Sequence, residues 1–324
     1  MEYVRLGRTA LKVSPLCLGT LNLGVRTTRE EAFELMDAAL EHGINFFDTA
    51  NHYGWQVHRG LTEELIGEWF AQGGRRREKV VLGTKVYNSM SDWPNDQGLS
   101  IRHIIAACDD SLRRLKTDWI DLYQMHHADP DTTWDEVWEA MELLVQQGKV
   151  RYVGSSNFTG WSLVAGQEAA RRRNRLGLVS EQCLYNLINR QPELELVPAA
   201  TAYGTALLAS SPLHGGLLGG ALKKLADGTA VKSAQGRAMV AIETRRSDVA
   251  AYERLCEEAG LAPAEVGQAW LLSRPGITSV IIGPRSMAHL DSAVYAMKLE
   301  LDQAMLTELD EIFPPMVSQI PQAW

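Results

Sequence analysis

Short apolar runs recur along the chain, and a stretch of helical periodicity follows most of them. Leu16-Cys17-Leu18-Gly19-Thr20 is the first, and residues 44–50, 80–85, 120–126, 150–155, 179–184, 206–210 and 279–282 repeat the pattern. Each reads as an apolar run rather than an alternation, which predicts strands buried on both faces, as in a parallel sheet. Thr28-Arg29-Glu30-Glu31 has the form of a capping box and opens a helix that stops near Gly43, with Phe33, Met36 and Leu40 on one face. A second helix is predicted from near Thr62 to Gly73-Gly74. Ser100 caps a third, whose Ile101, Ile104, Ile105, Cys108, Leu112 and Leu115 fall at helical spacing. Helices are also predicted over 134–147, up to Arg173, and over 193–202, 248–259 and 263–273, with two more before a Pro-rich tail from Phe313 to Trp324. A hairpin around Gly7-Arg8 precedes the first run. The polar loop from Tyr87 to Gly98 and the Gly-rich segment 214–247 lack a clear period, and the latter reads as an irregular, mobile flap.

About eight strand–helix alternations predict an α/β fold, a (β/α)8 TIM barrel over residues 1–324 as one domain, with an N-terminal β-hairpin and long loops at the C-terminal face. A doubly wound open sheet is the competing architecture. It usually carries a Gly-x-Gly-x-x-Gly turn after its first strand, whereas Gly19-Thr20-Leu21-Asn22-Leu23-Gly24 has the wrong spacing.

Composition narrows the class. The 324 residues are 45% hydrophobic and 22% charged, as in a soluble globular protein. Cys17, Cys108, Cys183 and Cys256 lie far apart with no Cys-x-x-Cys pair, so no metal site is expected and a reducing, cytoplasmic location is. No run is long enough to span a membrane, and no signal-peptide core opens the chain. A net charge of −8 argues against nucleic acid as a partner.

In a barrel of this kind, chemistry sits where the strands end. Asp48 lies at the mouth of one predicted strand with Tyr53 in its loop, Lys85 closes the next, and His126 closes the one after. Each has a plainer reading alone: a structural ion pair, a packed tyrosine, a core histidine. Together they suit delivery of a proton to a carbonyl oxygen. A phenol of pKa near ~10 keeps its proton at neutral pH. Lys85 would lower that pKa as a neighbouring cation, Asp48 would fix the lysine, and His126 would orient the substrate oxygen. The chain contains no hydride source, so a nicotinamide cofactor has to provide one.

The stretch Gly43-Ile44-Asn45-Phe46-Phe47-Asp48-Thr49-Ala50 with Tyr53-Gly54 resembles the signature of the aldo-keto reductases. So do Thr84-Lys85, Gln124-Met125-His126, Gly154-Ser155-Ser156-Asn157-Phe158 and Ser211-Pro212-Leu213. The resemblance implies an NADP(H)-binding barrel with Tyr53 as proton donor, NAD(H) being left open as cofactor. It implies Ser156, Asn157 and Gln182 at the nicotinamide carboxamide. Ser211, Leu213 and Gly215 would lie at the pyrophosphate, and Arg285 at the adenosine end. Thr20, Ser210, Gly283 and His289 complete the expected cofactor contacts. Ser210 stands where the family commonly has an aromatic residue, His289 and Ala293 where it has Gln and Asn, and Ala221 where a lysine is usual in the flap.

A narrower resemblance is to actinomycete reductases of deoxysugar and antibiotic biosynthesis. It is carried by residues 100–105, by Gln124-Met125-His126-His127, and by segments 178–186 and 231–238. It implies ketoreductase action, proposed at C3, on a nucleotide-linked keto-6-deoxyhexose. Trp55, Trp93 and His127 are the candidate substrate contacts. The basic runs 75–77 and 171–175 read as solvated helix ends rather than phosphate sites. The alternatives are a general aldehyde or ketone reductase and a non-catalytic NADP(H)-binding redox-sensing subunit. Reduction of an enone C=C bond is associated in the family with Glu at the position of His126. Self-association as a homo-oligomer is left open.

Overall fold

The computed structural model describes residues 1–229 and 237–316. Strands β1 (Val4–Arg5) and β2 (Lys12–Val13) form the antiparallel hairpin. Then come β3 (Leu16–Gly19), α1 (Arg29–Glu41), β4 (Phe46–Asp48), α2 (Leu61–Ala71), the short α3 (Arg76–Lys79) and β5 (Val81–Val86). The series continues with α4 (Ile101–Leu115), β6 (Ile120–Met125), α5 (Trp134–Gln146), β7 (Val150–Ser156), α6 (Gly160–Arg172) and β8 (Leu178–Leu184). It ends with α7 (Leu196–Tyr203), β9 (Ala206–Ser210), α8 (Ala221–Ala226), α9 (Arg237–Glu258), α10 (Pro263–Leu272), β10 (Ile277–Ile282), α11 (Met287–Ala296) and α12 (Gln303–Ile312). Strands β3 to β10 close in chain order into a parallel barrel, β10 pairing with both β9 and β3.

Alternation along the strands sorts the core into two bodies. Cys17, Phe46, Val81, Leu122, Val179, Leu208 and Ile281 pack inside the barrel, and the hairpin's Leu6 and Val13 join them. Their neighbours Leu18, Phe47, Leu82 and Tyr123 face outward and pack with the helices. Inward positions nearer the C-terminal mouths are polar: Asp48, Lys85, Gln124, Ser180 and Gln182 are all buried. Gly154 makes that layer possible. A Cβ there would stand 2.5 Å from Ser180 Oγ and 3.2 Å from Gln124 Cγ.

Helix starts follow the sequence signals. Thr28 and Glu31 form the reciprocal capping box of α1, and the Ser100 side chain accepts from the His103 amide to open α4. The expected irregular flap is largely helical instead. A 3-10 turn (His214–Gly216), α8 and the early turns of α9 occupy much of it. Leu217, Ala221, Ala238, Ile242 and Val249 bury a small apolar cluster between them. Arg245 has non-helical angles, so α9 is two helices meeting at a kink, of which only the second matches a predicted helix. Most of segment 231–238, cited in the narrower resemblance, and the tail from 317 onward lie outside the described residues. No described helix is long and apolar enough to cross a membrane.

Candidate active site

Strand register brings the three polar mouths together. Asp48 pairs with Gly83, two residues before Lys85, and Lys85 pairs with Gln124, two residues before His126. Residues two apart on a strand share a face, so Asp48, Lys85 and Gln124 point into the barrel. Lys85 Nζ donates to Asp48 Oδ2 at 2.6 Å, to the Thr49 carbonyl at 2.9 Å and to Tyr53 Oη at 3.3 Å. All three ammonium protons are thereby directed. Since Tyr53 accepts from Lys85, its own O–H is free to point elsewhere. The Tyr53 ring meets His126 edge-on, centroids 5.7 Å apart.

Burial opposes the Lys85 ammonium, but Asp48 and Tyr53 outweigh it and hold its pKa above the ordinary lysine value. The expected depression of the Tyr53 pKa is not found. Burial pushes it up, Lys85 pulls it down, Asp48 pushes it up again, and the net direction is upward. The phenol therefore stays protonated, which suits an acid better than a base. Burial, then Lys85, lower His126 to about 2, so its imidazole is neutral at working pH. Its Nδ1 meets the Asn88 side-chain amide at 3.0 Å.

Asp48 is 2% exposed, and the sequence did not disclose all its partners. Its Oδ1 accepts from Gln124 Nε2 and Gln182 Nε2, both at 3.0 Å. Two neutral amides and one ammonium solvate a carboxylate that would be costly to bury alone. Thr20, expected at the cofactor, is buried, and both its amide and its hydroxyl donate to the Asp48 carbonyl at 3.0 Å.

Ser156, Asn157 and Gln182 come together at the ends of β7 and β8, where Ser156 pairs with Gln182. Asn157 takes a left-handed φ of 59° and donates through Nδ2 to the His126 carbonyl and to Ser156 Oγ, both at 3.0 Å. Both amide hydrogens of Asn157 and one of Gln182 are thus directed at protein acceptors, and their side-chain oxygens have no partner among the described residues. Two acceptors beside a hydroxyl fit a carboxamide NH2. Glu181, given no role in the sequence reading, supports this turn. Its Oε1 accepts from the Phe158 amide at 2.9 Å, Oε2 is buried without a partner, and burial raises its pKa to about 8.

Ser211 (φ 52°), His214 (φ 47°) and Gly215 (φ 71°) turn the chain sharply after β9, with Leu213 packed against the core and Ser210 Oγ bonded to the Cys183 carbonyl at 3.0 Å. Past β10, Gly283 is held by Asn22 Nδ2 at 2.9 Å. Arg285 is half-buried. Burial and then the charge of Arg26 lower its pKa, and burial, Arg285 and Lys224 lower that of the adjacent His289. No described carboxylate pairs with Arg285. The acceptors at the ends of β7 and β8 and the cations around Arg285 are groups that fit a nicotinamide dinucleotide.

The three residues expected at the substrate have separate surroundings. Trp55, 46% exposed, stacks on His52, whose Nδ1 lies 3.2 Å from the Ser89 carbonyl. His127 stacks on His126 at 5.1 Å and meets Tyr87 edge-on. Trp93 is 80% exposed in the loop after β5. The basic runs are tied elsewhere: Arg76 to Asp37, Arg77 to Asp121, and both Arg173 and Arg175 to Glu142. Residues 75–77 lead into α3 rather than ending α2, because Gly73 and Gly74 break the chain with positive φ. Among the described residues no His, Cys, Asp and Glu cluster could hold a metal ion.

Comparison with known proteins places this geometry. The family model described as aldo/keto reductase family matches residues 15–313. A Bacillus subtilis protein named uncharacterized oxidoreductase YrpG is 51% identical over 329 residues, covering 100% of this chain and 99% of that one. Versiconal hemiacetal acetate reductase of Aspergillus parasiticus is 30% identical, covering 97% and 98%. A probable voltage-gated potassium channel subunit beta of Arabidopsis thaliana is 32% identical, covering 92% and 91%. The chain belongs to the aldo/keto reductase family and is a nicotinamide-dependent oxidoreductase.

Proposed function

We propose that this aldo/keto reductase is an NADPH-dependent carbonyl reductase, one domain in extent, with Tyr53 giving its proton to the carbonyl oxygen of a small-molecule ketone. The observation that carries this reading is the triple use of Lys85, which leaves the Tyr53 proton unclaimed. When bound, the cofactor supplies the hydride that the chain lacks. Lys85 then stabilises the phenolate left behind. Asp48 keeps Lys85 in place, and Gln124 and Gln182 keep Asp48 in place. His126, neutral and beside Tyr53, orients the substrate oxygen. The cations around Arg285 support NADP(H) over NAD(H), because guanidinium groups favour a phosphate more than a free hydroxyl.

For the substrate we propose a nucleotide-linked keto-6-deoxyhexose reduced at C3, acted on in the cytoplasm in antibiotic deoxysugar biosynthesis. Support comes from the sequence resemblance, from exposed Trp55 and from His127 stacked on His126, surfaces that suit planar and sugar rings. The test compares kcat/KM for a dTDP-linked keto-sugar with that for a plain aromatic aldehyde. Preference for the sugar supports the reading; equal or better use of the aldehyde replaces it with general carbonyl reduction. A second reading, a redox-sensing subunit, draws on the relative named as a potassium channel subunit beta. Cofactor binding with negligible turnover on every ketone would favour it.

A further inference from the structure

The tetrad's histidine has two ring nitrogens, and only one can serve a substrate oxygen as donor while the ring is neutral. We propose that Asn88 is a positioning residue that sets the tautomer of His126, keeping Nδ1 bare and the proton on Nε2. This rests on the carbonyl-reductase reading for its purpose, but not for its geometry.

The fold places the pair together. Val86 ends β5 and Met125 ends β6, and the two are register partners. Asn88 lies two residues past one end and His126 one residue past the other. Asn88 Nδ2 stands 3.0 Å from His126 Nδ1. With the amide nitrogen turned toward the ring, Asn88 donates and Nδ1 accepts, since an amide nitrogen does not accept. The remaining ring proton then sits on Nε2.

Other contacts fix the ring without competing for Nδ1. The His126 amide donates to the Val86 carbonyl at 2.9 Å, and its carbonyl accepts from Asn157 Nδ2. His127 lies parallel to the ring, 8° from coplanar, and Tyr53 meets it edge-on. These are face and edge contacts. The burial that keeps the imidazole uncharged makes the choice between tautomers matter, because an imidazolium would offer both N–H groups regardless of Asn88.

The experiment uses the full chain with ring-15N histidine and long-range 1H–15N correlation spectra, recorded without substrate. His126→Gln assigns the signal. The proposal expects an Nε2–H tautomer in the wild type. In Asn88→Asp, a carboxylate that can only accept should move the proton onto Nδ1. Asn88→Ala, which offers neither donor nor acceptor, should give a mixture, and it remains informative if the Asp variant does not fold. Turnover should fall at least tenfold in Asn88→Asp while cofactor affinity stays within a few-fold. A wild-type Nδ1–H signal overturns the proposal, as does an unchanged Nε2–H signal in Asn88→Asp. Since the spectra require no catalysis, failure here is separable from failure of the reductase reading, which turns on Tyr53.

Discussion

Lys85 Nζ lies 3.3 Å from Tyr53 Oη, and that contact turns the phenol's proton away from the lysine. The lysine arrives fully committed, with Asp48 and the Thr49 carbonyl holding its other protons. The relationship is therefore one-directional: Lys85 donates, Tyr53 accepts, and the phenolic hydrogen is available to a ligand.

The buried ion pair is the costliest part of this arrangement to disturb. Lys85 is 0% and Asp48 2% exposed. Asp48→Asn leaves a buried ammonium facing a neutral amide, and loss of one partner of a buried pair costs about 3–5 kcal/mol. A urea titration should show a lower midpoint with an unchanged slope. A midpoint equal to wild type would mean that water reaches Lys85.

The polar layer depends on the absence of a side chain at 154. Gly154→Ala puts a methyl 2.5 Å from Ser180 Oγ and 3.2 Å from Gln124 Cγ. Overpacking of this kind costs about 1–3 kcal/mol. Ser180 Oγ is the atom that has to shift, and Gln124, which holds Asp48, has to give by a few tenths of an ångström, so turnover should fall together with stability. Adding Ser180→Gly should restore much of both, and unfolding midpoints of the single and double variants check this.

Glu181 should give stability a pH slope. Its folded pKa is raised to about 8, above the ordinary carboxylate value, so the folded state holds a proton that the unfolded chain releases. The stabilisation is complete below the unfolded value of roughly 4. It diminishes as pH rises through the folded value, by up to about 1.4 kcal/mol per unit. Between those limits, Glu181→Gln should flatten the decline in melting temperature. Parallel curves for the two proteins would contradict the assignment.

Cofactor preference should reside at the far end of the site. Arg285→Ala removes the half-buried guanidinium next to His289, a group suited to charge-assisted bonds worth about 1.5–3 kcal/mol. The Kd for NADP(H) should rise roughly 10- to 100-fold while that for NAD(H) changes little. Equal weakening of both would place Arg285 away from the extra phosphate.

The barrel was legible because its strands, buried on both faces, read as unbroken apolar runs. The clustering of Asp48, Lys85 and His126, with Tyr53 in the loop after Asp48, was legible because the three interrupt such runs at their ends. The amides on Asp48 were not, because Gln124 and Gln182 lie 76 and 134 residues from it and only register brings them in. The start of α9 was missed because the buried residues described there, Ala238 and Ile242, are too few to show a period. The direction of the Tyr53 shift was missed for another reason. A neighbouring cation can be inferred from sequence, but the burial that outweighs it cannot.

The most direct test of the account is the turnover of Tyr53→Phe, followed by NADPH absorbance with a reducible ketone, alongside a cofactor titration. Loss of a general acid predicts a fall of about 10²- to 10⁴-fold in kcat with NADPH affinity preserved. Turnover within a few-fold of wild type would contradict the assignment of Tyr53 as proton donor.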